Sequence, residues 1–227
     1  MKFAPLPQRR PRAVIFDMDG LMLDTESLGP RTWHDASRAS GIPFDLAMLP
    51  AMIGRNHRDT HQFLLRHYGD DYPADRLTAA CTVAFDAIIE AEGIALKAGL
   101  IELLDWLAAE SIPHAVATST RRERAHKQLD TLGLLPRFTA LVGGDEVANG
   151  KPAPDIFLEA AARLAMAVED CIVLEDSEPG VRAALAAGIA PIMVPDLHEP
   201  SAAVRATGLL VLPSLHAVAA HLAQLPH

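Results

Sequence analysis

The apolar run "AVIFDMDG" carries two aspartates, Asp17 and Asp19, separated by Met18 and followed at once by Gly20. Carboxylates that end a buried strand need a cation, strong donors or water, because an unpaired buried charge is costly. A second acidic pair, Glu175 and Asp176, closes the apolar run "CIVLED". Brought together, such carboxylates repel by about 4 kcal/mol per pair at roughly 4 Å for an effective dielectric near ~20. A hard divalent cation removes the conflict, and Mg²⁺ characteristically combines a few carboxylates with waters and phosphate oxygens. Phosphate is therefore the natural substrate group.

Donors for a phosphate are present elsewhere in the chain. Thr118 and Ser119 stand in "AVATST", where an apolar run gives way to a polar helix start, so hydroxyls and helix N-terminal amides can face an anion. Lys151, in "NGKPAPDIF", has a flexible ammonium able to reach both a phosphate and an aspartate. The segment "GGDEVANGKPAP" does not make a nucleotide-binding P-loop. Five residues separate Gly144 from Gly150, and Pro152 stands where a Ser or Thr must bind Mg²⁺.

These residues need elements that bring them together. From about Ile94 onward, helical patterns such as "LIELLDWLAAES", "RRERAHKQLDTLG" and "PGVRAALAAG" alternate with apolar, strand-like runs, "IPHAVAT", "FTALVGG", "CIVLED", "APIMVP" and "LLVL". Nearly continuous apolar strands separated by helices predict an α/β fold, a parallel sheet covered on both faces, with "AVIFD" as its first strand. Ligands bind at the carboxyl ends of such strands, which is where Asp17, Asp19, Thr118, Ser119, Glu175 and Asp176 fall.

Residues 24–93 break the alternation. "RLTAACTVAFDAIIE" places Leu77, Ala80, Cys81, Ala84, Phe85, Ile88 and Ile89 on one helical face, and "RTWHDASRAS" and "DTHQFLLRHY" also read as helices. The expectation is a small α-helical cap over residues 24–93, inserted into a core made of residues 1–23 and 94–227. Its loop "MIGRNHRD" offers Arg55, Asn56, His57 and Arg58 to a substrate.

A formal net charge of -9 over 227 residues argues against general nucleic-acid binding. No run reaches membrane-spanning length, and the opening "MKFAPLPQRRPR" lacks the apolar stretch of a signal peptide, so a cytoplasmic protein without a membrane partner is expected. That basic opening reads as a disordered tail. Cys81 and Cys171 read as buried thiols, and the histidines, His114 among them, as surface or boundary residues. The arginines of residues 121–124 read as an exposed helix face, and a monomer is the default expectation.

"DMDG", "TST", "GKPAPD" and "LEDS", in that order and at strand ends, resemble the haloacid dehalogenase superfamily. The resemblance is closest to its phosphatase and beta-phosphoglucomutase-like members with a helical cap, and it covers nearly the whole chain from Arg12. It implies a Rossmann-like core and a Mg²⁺-dependent phosphomonoesterase acting on a small phosphorylated metabolite, such as a sugar phosphate or nucleotide. By the same resemblance Asp17 is the nucleophile, Asp19 the general acid and base, Thr118 and Ser119 hold phosphate, and Lys151 bridges nucleophile and phosphoryl group. The metal falls to Asp17, Asp176, the Asp19 backbone carbonyl and a supporting Glu175. A phosphosugar mutase is the alternative; against it, Gly29 and Phe85 stand where such members carry a His and a Lys. Dehalogenase chemistry is disfavoured by Asp19 and by the Glu175 and Asp176 pair.

Overall fold

A computed structural model describes residues 9–52, 55, 57–197, 199–206 and 208–226. The chain opens with β1 (Ala13–Phe16), then runs through three helices, α1 (Gly29–Ser40), α2 (His57–Tyr68) and α3 (Ala74–Glu92). Alternation follows: α4 (Leu100–Ala109), β2 (His114–Ala117), α5 (Arg122–Thr131), β3 (Ala140–Val142), α6 (Asp155–Arg163), β4 (Cys171–Glu175) and α7 (Glu178–Ala186). The chain closes with β5 (Ala190–Met193), α8 (Ala202–Arg205), β6 (Leu210–Val211) and α9 (Leu215–Gln224). The expected "LLVL" strand shrinks to two residues at the sheet edge, where pairing is available on one side alone.

All pairings are parallel, in the order β3-β2-β1-β4-β5-β6. β1 lies in the middle, with Ile15 opposite Ala115 on one side and Val173 on the other. Its side chains alternate between two cores: Val14 and Phe16 pack toward α4, α5 and α9, whereas Ala13 and Ile15 pack toward α6 and α7. A strand buried on both faces is apolar along its length and leaves charge to its carboxyl end. Asp17, whose amide still bonds the Leu174 carbonyl at 3.0 Å, is the first charged residue after this run.

α1, α2 and α3 form a separate packing unit. Ala36, Ile42, Leu77 and Cys81 make one small core, and Met52, Leu64 and Ala74 another, with Trp33 stacked on Phe44 at 4.4 Å between ring centroids. The two chain passages between cap helices and sheet run side by side: Leu23 bridges Leu96, and the Asp24 and Lys97 amides bond the Ala95 and Met22 carbonyls, both at 2.9 Å. Lys97 pins this ribbon to the core by bonding Asp196 at 2.5 Å.

Three readings of single residues are corrected. Arg9 and Arg12 both pair with Asp170, and Arg10 pairs with Glu110 and caps the carbonyls of Ala223 and Leu225, so this part of the basic opening is docked rather than free. Within residues 121–124, Arg124 crosses to the cap, meeting Asp86 at 2.7 Å and lying over the Phe85 ring at 4.6 Å. His114 is buried in β2 beside Phe16 and Phe138, with Nε2 unpartnered among the described residues. Both cysteines are free and buried, as expected, and burial raises their thiol pKa values to about 12 for Cys81 and about 11 for Cys171.

His114 has a consequence for stability. Burial, with Arg137 adding to it, holds its pKa below the ordinary 6.5. As pH falls through about 6.5, unfolded chains take up a proton that the folded chain refuses, so stability drops until the lowered folded value is reached. The slope from this one group is at most about 1.4 kcal/mol per pH unit in that window. His114→Leu should therefore narrow the difference in urea-unfolding free energy between pH 7.5 and pH 5.5, values chosen as roughly bracketing that window; an unchanged difference contradicts the assignment.

Candidate active site

Asp17 leaves β1, Thr118 leaves β2 and Glu175 ends β4, so the register of three adjacent strands delivers them to one edge of the sheet. Lys151 arrives from the loop before α6, where Asn149 bonds Asp155 through its amide and its side chain at 3.2 and 3.0 Å. The Lys151 ammonium bonds Asp17 Oδ1 and Glu175 Oε1, the latter at 2.5 Å, and lies 5.1 Å from the centre of the Phe157 ring. All three ionic groups are shut off from solvent: side-chain exposure is 2% for Lys151, 8% for Asp17 and 0% for Glu175.

Glu175 uses its other oxygen to accept from the Ser177 amide at 2.8 Å and the Ser177 hydroxyl at 2.9 Å. Gly180, in the first turn of α7, packs directly on this carboxylate, leaving no room for a Cβ. Gly20 is constrained in the same way: its φ is +82°, and a Cβ there would overlap the Asp176 carboxylate. The backbone turns sharply after Asp19 so that Asp176 can approach it.

Asp17, Glu175 and Asp176 bring carboxylate oxygens within 4.8 Å of one another, all buried. Among the described residues one ammonium, that of Lys151, serves this cluster, and it faces Asp17 and Glu175. Burial drives the Asp176 carboxyl well above the usual carboxylate range, with Glu175, Asp17 and Glu26 adding to the rise and Lys151 opposing it. Burial also raises Asp17, against the pull of Lys151. Such a cluster of hard oxygen donors could hold a metal ion.

Asp19 stands apart from the cluster. Its Oδ1 accepts from the Thr25 hydroxyl at 2.8 Å, and its Oδ2 accepts from Thr120 at 2.8 Å and Thr118 at 3.2 Å. Its carboxylate is therefore turned to hydroxyls and contributes no ligand atom to the cluster. Thr118, 1% exposed, also receives the Thr120 amide at 3.0 Å. Ser119 follows Thr118, with its carbonyl packed on Gly144. The first amide of α5, at Arg122, already bonds Asp145 at 2.8 Å.

A cavity of about 280 Å³ adjoins Asp176 and Ser177, closed on the cap side by Pro50, Ala51 and Arg55. Arg55 spends Nε on the Ala51 carbonyl at 2.8 Å and lies over Phe63. His57 is outside this lining; burial and the nearby Arg121 lower its pKa. Asn56 lies outside the described residues. Arg58 bonds the Ala148 carbonyl at 2.8 Å and so ties the cap to the loop that carries Lys151. Glu26, unremarked in the sequence, lines the cavity with a pKa raised to about 7 by burial and by Asp19 and Asp196.

A parallel sheet with an inserted helical cap, a buried lysine bridging two strand-end carboxylates and a neighbouring acidic cluster define a hydrolase of the Rossmann-like class. A family model described as haloacid dehalogenase-like hydrolase matches residues 11–188, and the chain belongs to that family. It is 32% identical over 196 residues to the phosphorylated carbohydrates phosphatase of Thermotoga maritima, covering 86% of this chain and 90% of that one. It is also 32% identical over 214 residues to the beta-phosphoglucomutase of Bacillus subtilis, covering 90% and 94%. The crystal structure of CbbY from Rhodobacter sphaeroides in complex with phosphate superposes with a TM-score of 0.78 at 29% identity, covering 91% of this chain and 95% of that one. Among the described residues no helix is long and apolar enough to cross a membrane.

Proposed function

We propose that this enzyme is a Mg²⁺-dependent phosphomonoesterase of small phosphorylated metabolites, working through a phosphorylated Asp17. The observation that carries the reading is the Lys151 ammonium held between Asp17 and Glu175 beside the Asp176 carboxylate. In this reading an Asp17 oxygen attacks phosphorus while Asp19 gives its proton to the leaving oxygen. Asp19, now a carboxylate, then takes a proton from the water that splits the aspartyl-phosphate, which returns Asp17 and releases inorganic phosphate. Thr118 and Ser119 hold phosphoryl oxygens. Lys151 stays charged throughout, because its two carboxylate partners outweigh the burial that opposes its charge. Asp17, Asp176 and the Asp19 backbone carbonyl would hold the Mg²⁺, with Glu175 in support. When bound, the metal would supply positive charge that screens the carboxylates from the incoming phosphate and stabilises the transferring group.

Arg55, which lines the cavity beside Asp176, is the proposed reader of the leaving group, and the sequence adds Asn56 and His57 of the same loop as further candidates. Supporting the phosphatase reading, the Thermotoga maritima relative is named for phosphorylated carbohydrates, and the Rhodobacter sphaeroides structure holds phosphate. Phosphate release should be measured across a panel of sugar phosphates and nucleoside monophosphates. Release that requires Mg²⁺ and falls by roughly a hundredfold or more in EDTA is expected, given the charge stabilisation assigned to the ion; full activity in EDTA contradicts the reading. Likeness to a beta-phosphoglucomutase keeps a mutase as the second reading, and it predicts isomerised sugar phosphate in place of free phosphate from the same panel.

A further inference from the structure

Building on the phosphatase reading, we propose that Thr120 is a positioning residue that aims the Asp19 carboxyl group at the leaving oxygen. Asp19 is gripped by three hydroxyls, Thr25 on Oδ1 and both Thr118 and Thr120 on Oδ2. These grips are not equivalent. A threonine hydroxyl has one proton to donate. Thr118 gives its proton to Asp19 over the longer distance, 3.2 Å against 2.8 Å for Thr120. In the proposed reaction that same proton is needed by a phosphoryl oxygen, so Thr118 releases Asp19 when substrate arrives. Its oxygen stays in place during the change, because the Thr120 amide bonds it at 3.0 Å.

Thr120 then holds Oδ2 alone. Thr25 cannot take over that oxygen, since it is bonded to Oδ1, and it sits on the passage into the cap, where its amide bonds the Leu23 carbonyl. Thr120 belongs to the core instead: its carbonyl accepts the Gly144 amide at 2.9 Å, which fixes the loop after β2 against the loop after β3. Asp19 is thus referenced to the sheet by Thr120 and to the cap passage by Thr25. An acid must lie within hydrogen-bond reach of the oxygen it protonates, so an unanchored Oδ2 costs proton transfer and spares phosphate binding.

This places the effect on leaving-group protonation, where it can be separated from a structural role. Thr120→Val removes the hydroxyl at nearly constant shape, and Thr120→Ser keeps it. Each variant and the wild type are assayed with Mg²⁺ on an alkyl phosphate from the panel, whose alkoxide must be protonated to leave, and on p-nitrophenyl phosphate, whose phenolate leaves unaided. For Thr120→Val the alkyl-to-aryl ratio of kcat/KM, which reports the steps up to departure of the leaving group, should fall roughly tenfold or more, a part of the ~10²–10⁴ that general acid catalysis contributes, with KM for the alkyl ester changing by less than about threefold. Thr120→Ser should restore the ratio to within about threefold. Equal losses on the two esters, or an unchanged ratio, overturn the positioning role while leaving the phosphatase reading standing. No phosphate release from either ester by wild type overturns both. If Thr120→Val does not fold, Thr120→Ala read against the same ratio carries the test.

Discussion

Asp17→Asn should lose phosphate release by roughly a thousandfold or more while the protein stays folded. Removal of a nucleophile from a cooperating set of groups typically costs at least that much. An amide has nearly the shape of the carboxylate, so the backbone at the end of β1 and the Asp17 amide bond to Leu174 have no reason to move. Nor should stability fall far in the absence of metal. Burial already raises the Asp17 carboxyl well above its ordinary range, and Lys151 keeps Glu175 as a partner. Turnover by quantified phosphate release, with urea unfolding as the control for fold, checks both halves. A variant that keeps a tenth or so of wild-type activity would remove Asp17 from the chemistry, because a merely auxiliary carboxylate could account for so small a loss.

Lys151→Met is expected to damage stability as well as activity. The ammonium is the cation shared by Asp17 and Glu175, and Glu175 is completely shut off from water. Removing one partner from a buried ion pair leaves the other charge uncompensated and typically costs about 3–5 kcal/mol. Ser177 still donates to the far oxygen of Glu175, so the loss should fall within that range rather than beyond it. Activity should drop by roughly a hundredfold or more, because the lysine is the side-chain cation assigned to the transferring phosphoryl group. Denaturant unfolding and phosphate release on the same preparation measure the two effects. Glu175→Gln gives a partial comparison, since its single amide oxygen can accept from Lys151 or from Ser177 but not from both. A Lys151→Met protein as stable as wild type would show that the pair carries no net burden in the fold.

Much of this site is legible in the sequence because a parallel sheet funnels its strand ends to one edge. Once "AVIFD", "HAVAT" and "CIVLED" read as buried strands, Asp17, Thr118 and Glu175 have to meet, and the structure brings them together. The inserted helices are legible too: Leu77 and Cys81 recur at helical spacing and join the cap core, and Ile88 is buried further along the same helix. Less visible is where each polar side chain turns after the strand ends. Glu175 and Asp176 read as one acidic pair, yet Glu175 is still in β4 and points its oxygens at Lys151 and Ser177, whereas Asp176 lies beyond the strand against Gly20. Asp19 shows the same limit. Its three hydroxyl partners depend on loop dihedrals that leave no periodic trace, and Thr25, Thr118 and Thr120 lie 6, 99 and 101 residues away.

Long-range ion pairs are hidden for a similar reason. Arg124 with Asp86, Arg10 with Glu110 and Lys97 with Asp196 join surfaces that only the completed fold makes neighbours. Charged side chains on helices and loops otherwise read as solvated faces. The burial of His114 is not legible because one imidazole in an apolar strand has no signature of its own; its Nδ1 meets the Ile112 carbonyl at 2.9 Å and its ring packs against Phe16 and Phe138.

The most direct test of the account is to catch the phosphoryl group on the protein. Wild-type enzyme turning over p-nitrophenyl phosphate with Mg²⁺ is quenched in acid, digested and examined by mass spectrometry. The account predicts a phosphoryl group on the peptide that carries Asp17, labile to hydroxylamine as an acyl phosphate must be, and its absence from Asp17→Asn. Rapid turnover by wild type with the phosphoryl group on another residue, or with Asp17→Asn equally active, would contradict it.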